Sequence, residues 1–167
     1  YTAVFRSYYR TILAKGFPVK FFIEGTRSRT GRLLAPKLGM LEMTVQSYVL
    51  DRKRPVVFVP VYFGYERLVE GQTFVGELGG ARKRKESLGG FLRSLRALRE
   101  RFGAVQVSFG EPLLLDQVLD GVHPGWRDET LDEQFRAPWM SATAGLLGRQ
   151  ILAAINSAAE INPVNLV

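Results

Sequence analysis

Phe21-Phe22-Ile23-Glu24-Gly25-Thr26-Arg27-Ser28-Arg29-Thr30-Gly31-Arg32 is the stretch on which the fold turns. A short apolar run, Val19 to Ile23, stops abruptly at Glu24-Gly25. It reads as a buried strand that empties into a loop carrying three arginines, with Pro36 closing the loop. Glycines at 25 and 31 let the backbone turn sharply and approach a ligand closely. Arg27 and Arg29 are two apart, so in an extended loop they point to one side. Arginine presents a planar fork that matches phosphate oxygens, and the hydroxyls of Thr26, Ser28 and Thr30 add donors. A loop that leaves a strand and opens a helix is where open α/β sheets bind ligands. Two readings follow from the residues: an anion site, most naturally for a phosphate, or a solvated basic turn. Glu24 stands at the mouth either to orient Arg27 and Arg29 or as a perturbed carboxylate base. Lys37 either adds charge to the pocket or is solvated.

Outward from the loop, residues 2–15 have the period of an amphipathic helix. Val4, Phe5, Tyr8, Ile12 and Leu13 form its stripe, and Gly16 and Pro18 stop it. Pro36 suits the first turn of a second helix, about 37–50, with Leu38, Leu41, Val45, Tyr48 and Val49 on its core face. Val56 to Tyr62 is a continuous apolar run, as expected of a strand covered on both faces in a parallel sheet. Pro60 interrupts it by removing a ladder donor, so pairing should fail there or the strand should lie at an edge. Residues 63–85 read as irregular, with a charge run at Arg82-Lys83-Arg84-Lys85. A basic amphipathic helix is expected over 87–101, then a strand from Ala104 to Phe109 with Val105, Val107 and Phe109 inward. A loop rich in Pro, Gly and Asp runs to about 138. A last helix, about 140–159, buries Leu147, Ile151, Ala154, Ile155 and Ala158. Strands separated by helical crossovers make the class α/β, a mostly parallel sheet core with flanking helices.

The string from Phe21 to Gly31 resembles the third sequence block of the glycerolipid acyltransferases, and Val59-Pro60-Val61-Tyr62 resembles their fourth. With Phe63-Gly64-Tyr65-Glu66, Leu78-Gly79-Gly80-Ala81, Gly110-Glu111-Pro112 and the closing Ile161 to Val167, the chain is similar throughout to the large membrane-bound bacterial glycerol-3-phosphate acyltransferases. The resemblance implies a single partial acyltransferase domain over 1–167. It implies transfer of a fatty acyl chain from acyl-CoA or acyl carrier protein to glycerol 3-phosphate in phospholipid biosynthesis, with no cofactor. Glu24, Gly25, Arg27, Arg29 and Lys37 then bind the acceptor, and Val59, Pro60 and Val61 line the acyl channel. It also implies the cytoplasmic face of a bacterial inner membrane as the location.

The family's catalytic signature is a histidine followed five positions on by an aspartate, upstream of the arginine loop. The one histidine here, His123, has Asp128 at that spacing, but downstream of the loop and beside Pro124-Gly125, which make a turn rather than a helix start. It is read as a chance match. The dyad is therefore expected upstream of Tyr1, and residues 1–167 alone are expected to be inactive. That the chain opens on Tyr1, inside a helical pattern, likewise suggests part of a longer protein.

Composition bounds the rest. At 167 residues, with 46% apolar and 23% charged, the chain is long enough for a core. No apolar run reaches the length of a membrane span, and no signal peptide is visible. Zero cysteines exclude disulfides, thiol nucleophiles and cysteine metal sites. With one histidine, no metal constellation is expected. Net charge of +7 favours polyanionic partners: phosphorylated substrates, an anionic membrane surface or nucleic acid. The 82–85 run beside the 87–101 helix is either a solvated face or a lipid contact. A basic nucleic-acid-binding module is the rival class. The arginine loop lacks the interleaved aromatics that such a module uses for stacking, so no nucleic acid is expected.

Overall fold

The structure is a computed structural model and describes residues 2–26, 33–65, 104–130 and 137–159. The chain divides into two compact units. One comprises Tyr1–Val61 with Phe109–Ala158, the other Tyr62–Ser108 with Ala159–Val167.

The first unit is built on helices. α1 (Thr2–Lys15) ends at Gly16, which takes φ +77°, a left-handed conformation that suits glycine. α2 spans Gly39–Leu50 and buries Leu41, Thr44, Val45, Tyr48 and Val49. The predicted face is thus the packed one, with Leu38 half-buried at its edge. α3 (Leu115–Val122) buries Leu115, Val118 and Leu119. It falls in the stretch read as a loop. Leu115, Val118, Leu119 and Val122 do repeat at helical spacing, but the surrounding Pro, Gly and Asp residues obscure them. α4 (Pro138–Ser157) opens on a proline, whose missing N–H has no intrahelical partner to lose there. It lays Met140, Ala144, Leu147 and Ile151 into the core. α2 and α3 both pack on α4, and α1 packs on α2.

The first helix corrects part of its predicted stripe. Val4, Phe5 and Tyr8 are exposed, Ile12 and Leu13 are half-buried, and among the described residues of the helix the buried one is Tyr9. Thr44 Oγ1 donates to Met40 O at 2.8 Å, which uses its only hydrogen. In the 2.7 Å bond between Tyr9 and Thr44 the phenol is therefore the donor. A polar tether, added to aromatic burial, picks the face that periodicity alone assigned elsewhere.

A mostly parallel sheet core does not form among the described residues. β1 (Val57–Phe58) pairs antiparallel with β4 (Leu113–Leu114), in the register Val57 with Leu114 and Phe58 with Leu113. β2 (Val61–Tyr65) pairs with β3 (Val105–Phe109) in a second two-stranded sheet. The 56–62 run does break at Pro60, as the missing donor requires. Gly110 N–H donates to Pro60 O at 2.9 Å across the break, and Leu115 N–H donates to Val56 O at 3.0 Å. Val19 to Ile23 carries no ladder, since β1 to β4 are paired among themselves. Only Ile23 of that run is buried. Val105, Val107 and Phe109 are exposed, Phe109 at 70%, where an inward face was expected. Alternation shows that three residues share a face; a covering layer decides whether that face is buried. The expected 87–101 helix and the 82–85 charge run lie outside the described residues.

Two bonds tie the helices together and make measurable predictions. Tyr9→Phe removes the donor to Thr44 and should lower unfolding stability by about 0.5–1.5 kcal/mol, read from denaturant midpoints. Tyr48 Oη donates to Asp116 Oδ1 at 2.5 Å, joining α2 to α3. Burial, then the Asp116 carboxylate, push the Tyr48 phenol up to about 12. A folded-state value above the unfolded one favours the neutral phenol. Its contribution is thus complete below pH 10 and is lost as pH rises toward about 12. The stability gap between the parent and Tyr48→Phe should narrow over that interval; a gap that widens there would contradict the assignment.

Candidate functional site

The arginine loop has a closed neck. Past buried Ile23 the chain turns, with Gly25 N–H donating to Phe22 O at 3.0 Å. Gly25 takes φ +66°, a conformation that side-chain-bearing residues rarely adopt. On the return limb, Leu34 N–H donates to Glu24 Oε2 at 2.8 Å and Lys37 N–H donates to Ile23 O at 2.7 Å. One side-chain bond and one backbone bond thus clamp the two limbs that flank the arginine-bearing stretch. The side chain of Lys37 folds back over Gly25. A methyl on Gly25 would lie 2.9 Å from Lys37 Cγ. Glycine is required at 25 twice over, by its φ and by this close approach.

Glu24, Gly25 and Lys37 are therefore brought together at the neck. Arg27 and Arg29 lie outside the described residues. Glu24 was expected to orient those arginines or to act as a base. Among the described residues Glu24 accepts from the Leu34 amide, a backbone role beside the one expected of it.

Val59, Pro60 and Val61 occupy a different place. Pro60 is fully buried, Val61 is half-buried and Val59 is 50% exposed. A methyl on Gly110 would meet Ala154 O at 3.0 Å and Pro60 Cβ at 3.2 Å. The strand break at Pro60 is thus wedged against the C-terminal half of α4 through a glycine.

His123 is taken up by packing. Its Nε2 lies 2.6 Å from Glu129 Oε1, the ring nitrogen donating to the carboxylate. Its ring stacks on Trp139, centroids 5.0 Å apart at 19°, and Trp139 Nε1–H donates to Glu129 Oε2 at 3.3 Å. Asp128 at the dyad spacing is engaged in a turn, its N–H bonded to Gly125 O. Beside this cluster Trp126, 1% exposed, lies between the guanidinium groups of Arg127 at 4.4 Å and Arg52 at 5.2 Å. Its Nε1–H donates to Asp120, which also pairs with Arg127. The Arg127 and Trp126 donors hold the Asp120 carboxyl below its usual range. These contacts staple the 123–129 turns to α3, α4 and the turn after α2. Among the described residues, no cluster of His, Asp or Glu could hold a metal ion, and no helix is long and apolar enough to cross a membrane.

Comparison with known proteins bears on both parts of the chain. A family described as acyltransferase matches residues 1–64, the segment that holds the neck. A second, described as glycerol-3-phosphate acyltransferase C-terminal region, matches residues 74–167. A glycerol-3-phosphate acyltransferase of Ectopseudomonas mendocina is 53% identical over the whole chain. Those of Pseudomonas syringae pv. syringae and Pseudomonas fluorescens are each 52% identical over the same 167 residues. The chain spans 20% of the length of each of these relatives. With more than half of its residues, 74–167, matched to the one family and its N-terminal part to the other, the chain belongs to the glycerol-3-phosphate acyltransferase family.

Proposed function

We propose that this segment serves a glycerol-3-phosphate 1-O-acyltransferase, and that its part is to hold the phosphate of the acceptor in the 25–33 loop. The single observation that carries the reading is the closed neck. Glu24 and Ile23 clamp Leu34 and Lys37, so a loop with three arginines is presented from fixed ends. Preset ends let arginine forks bind an anion with less ordering at the moment of binding. The relatives' name, glycerol-3-phosphate acyltransferase, supports glycerol 3-phosphate as that anion.

In the intact enzyme, acyl-CoA or acyl carrier protein supplies the thioester. The first hydroxyl of the acceptor attacks its carbonyl carbon, the thiol leaves, and a lysophosphatidate results. Holding the phosphate fixes the hydroxyl relative to the carbonyl, and positioning of this kind lowers the barrier by several kcal/mol. Val59, Pro60 and Val61 line the path of the acyl chain, and the half-exposed Val59 side chain is the one open to it. In the intact domain the 19–23 run joins a larger, mostly parallel sheet. The product is a lipid and the chain carries +7, which suits an anionic membrane at the cytoplasmic face of the inner membrane.

Steady-state kinetics in the intact enzyme test the loop. A charge-assisted hydrogen bond is worth about 1.5–3 kcal/mol. Arg27→Ala or Arg29→Ala should thus lower kcat/KM for glycerol 3-phosphate roughly ten- to 150-fold. The acyl-donor KM should stay in place, and lysine should rescue only in part because a point charge lacks the fork. A donor KM that rises while the acceptor KM holds would assign the arginines to the donor's phosphates. His123→Ala should leave the rate within about a factor of ten, since its bonds to Glu129 and Trp139 are packing contacts. A loss of several orders of magnitude with the fold intact would return His123 to the chemistry.

A further inference from the structure

Gly148 lies in the middle of α4, more than 110 positions after the loop. We infer that it is a positioning residue for the arginine loop. A methyl built on its Cα would stand 3.0 Å from Leu38 Cδ2, 3.1 Å from Pro36 Cγ and 3.2 Å from Pro36 Cβ. Carbon atoms attract best at about 3.5–4.0 Å, so any side chain at 148 has to move the 36–38 limb by a few tenths of an ångström. Glycine inside a helix destabilises it by about 0.5–1 kcal/mol relative to alanine. Residue 148 stands ten positions from the start of α4 and nine from its end, so neither a cap nor a turn calls for glycine there. The close seat for Pro36 and Leu38 does. Gly145, one turn earlier on the same helix, has no such role: its nearest neighbour would be Arg149 Nη1 at 3.8 Å.

What rests on this seat is the return limb of the neck. Pro36 and Leu38 flank Lys37, whose N–H holds Ile23 O, and Leu34 two residues before Pro36 holds Glu24. A limb displaced from α4 carries both donors with it. The surface of α4 at 148 therefore sets where the return limb of the neck sits, and with it the width of the loop's mouth. The role rests on the reading of the loop as the acceptor's phosphate site, because width affects catalysis only where the loop holds a ligand. A guanidinium fork depends on geometry as well as charge. Small displacements at its base are therefore read as lost acceptor affinity rather than as lost fold.

The experiment compares Gly148→Ala, Gly145→Ala and Arg29→Ala in the intact enzyme. The readouts are KM for glycerol 3-phosphate, KM for the acyl donor, and amide exchange of the peptide covering residues 33–38. Gly148→Ala should speed exchange of that peptide and raise the acceptor KM about three- to tenfold with the donor KM unchanged. That magnitude reflects a shift of tenths of an ångström where a full ångström is worth about a hundredfold. Gly145→Ala should move none of the three. If Arg29→Ala raises the acceptor KM and Gly148→Ala does not, the positioning role is overturned and the phosphate reading stands. If Arg29→Ala leaves the acceptor KM unmoved, the phosphate reading fails and the positioning role falls with it. Slower turnover in Gly148→Ala with 33–38 protection retained, or with both KM values rising together, would mark a general loosening of α4 and also overturn it.

Discussion

The close approach of α4 to its neighbours is the constraint on which the first unit depends. Leu41 and Val45 of α2 and Ala144 and Leu147 of α4 are fully buried, and the helices meet at positions where α4 carries small side chains. Thr143 and Gly148 are buried on the same helix. Close-packed interiors transmit displacement rather than absorb it. The loop limb is seated at Gly148. The Pro60 break is seated, through Gly110, at Ala154 O. Six residues of helix separate the two seats, about 9 Å along the axis. The segment assigned to the acceptor and the segment assigned to the acyl chain thus bear on one rigid element. Their spacing is a property of that helix rather than of two loops.

The neck shows how a carboxylate braces the two limbs of a loop through the backbone. Glu24 Oε2 takes the Leu34 amide, a donor that would otherwise need water or a ladder partner. A charged acceptor on a backbone N–H makes a stronger bond than a neutral one, and here it joins limbs ten residues apart. The backbone bond from Lys37 to Ile23 closes the same neck one step outward. Closure of the neck is thus built into the described limbs.

Much of this was legible in the sequence, and the failures have a common cause. α2 was readable because its apolar residues repeat at helical spacing and its partner covers that face. The break at Pro60 was readable because a missing N–H is a local fact. The glycine at 25 was readable as a turn, and the structure adds the Lys37 contact as a second reason for it. What could not be read was which face meets which neighbour. The stripe of α1 and the alternation of β3 were both present. Yet the packed residue of α1 is Tyr9, and Val105, Val107 and Phe109 are exposed. The strand expected at 19–23 failed similarly, because a strand exists only with a partner. Glu24's bond to Leu34 depends on how the loop returns, which residue identity does not encode. Gly148 carried a usable signal, a glycine inside a strongly helical pattern, whose meaning emerged only with Pro36 against it.

His123 and Asp128 show the converse, a spacing that is present without the geometry that gives it meaning. Five positions bring two side chains together when a helix start or a strand end converges them. Here Pro124 and Gly125 produce successive turns, with Trp126 N–H on His123 O and Asp128 N–H on Gly125 O. The imidazole is left to Glu129 and to the face of Trp139. One ring nitrogen is on a carboxylate and one face is on an indole, which ties the ring to the turn and to α4. It pins a stapled turn, beside Trp126 and its two guanidinium groups. The same turns bring Arg127 to Asp120 and Arg52 to the Arg127 carbonyl, so this basic cluster is spent internally. The stretch that carries the loop arginines is bracketed by the Glu24–Leu34 and Ile23–Lys37 bonds.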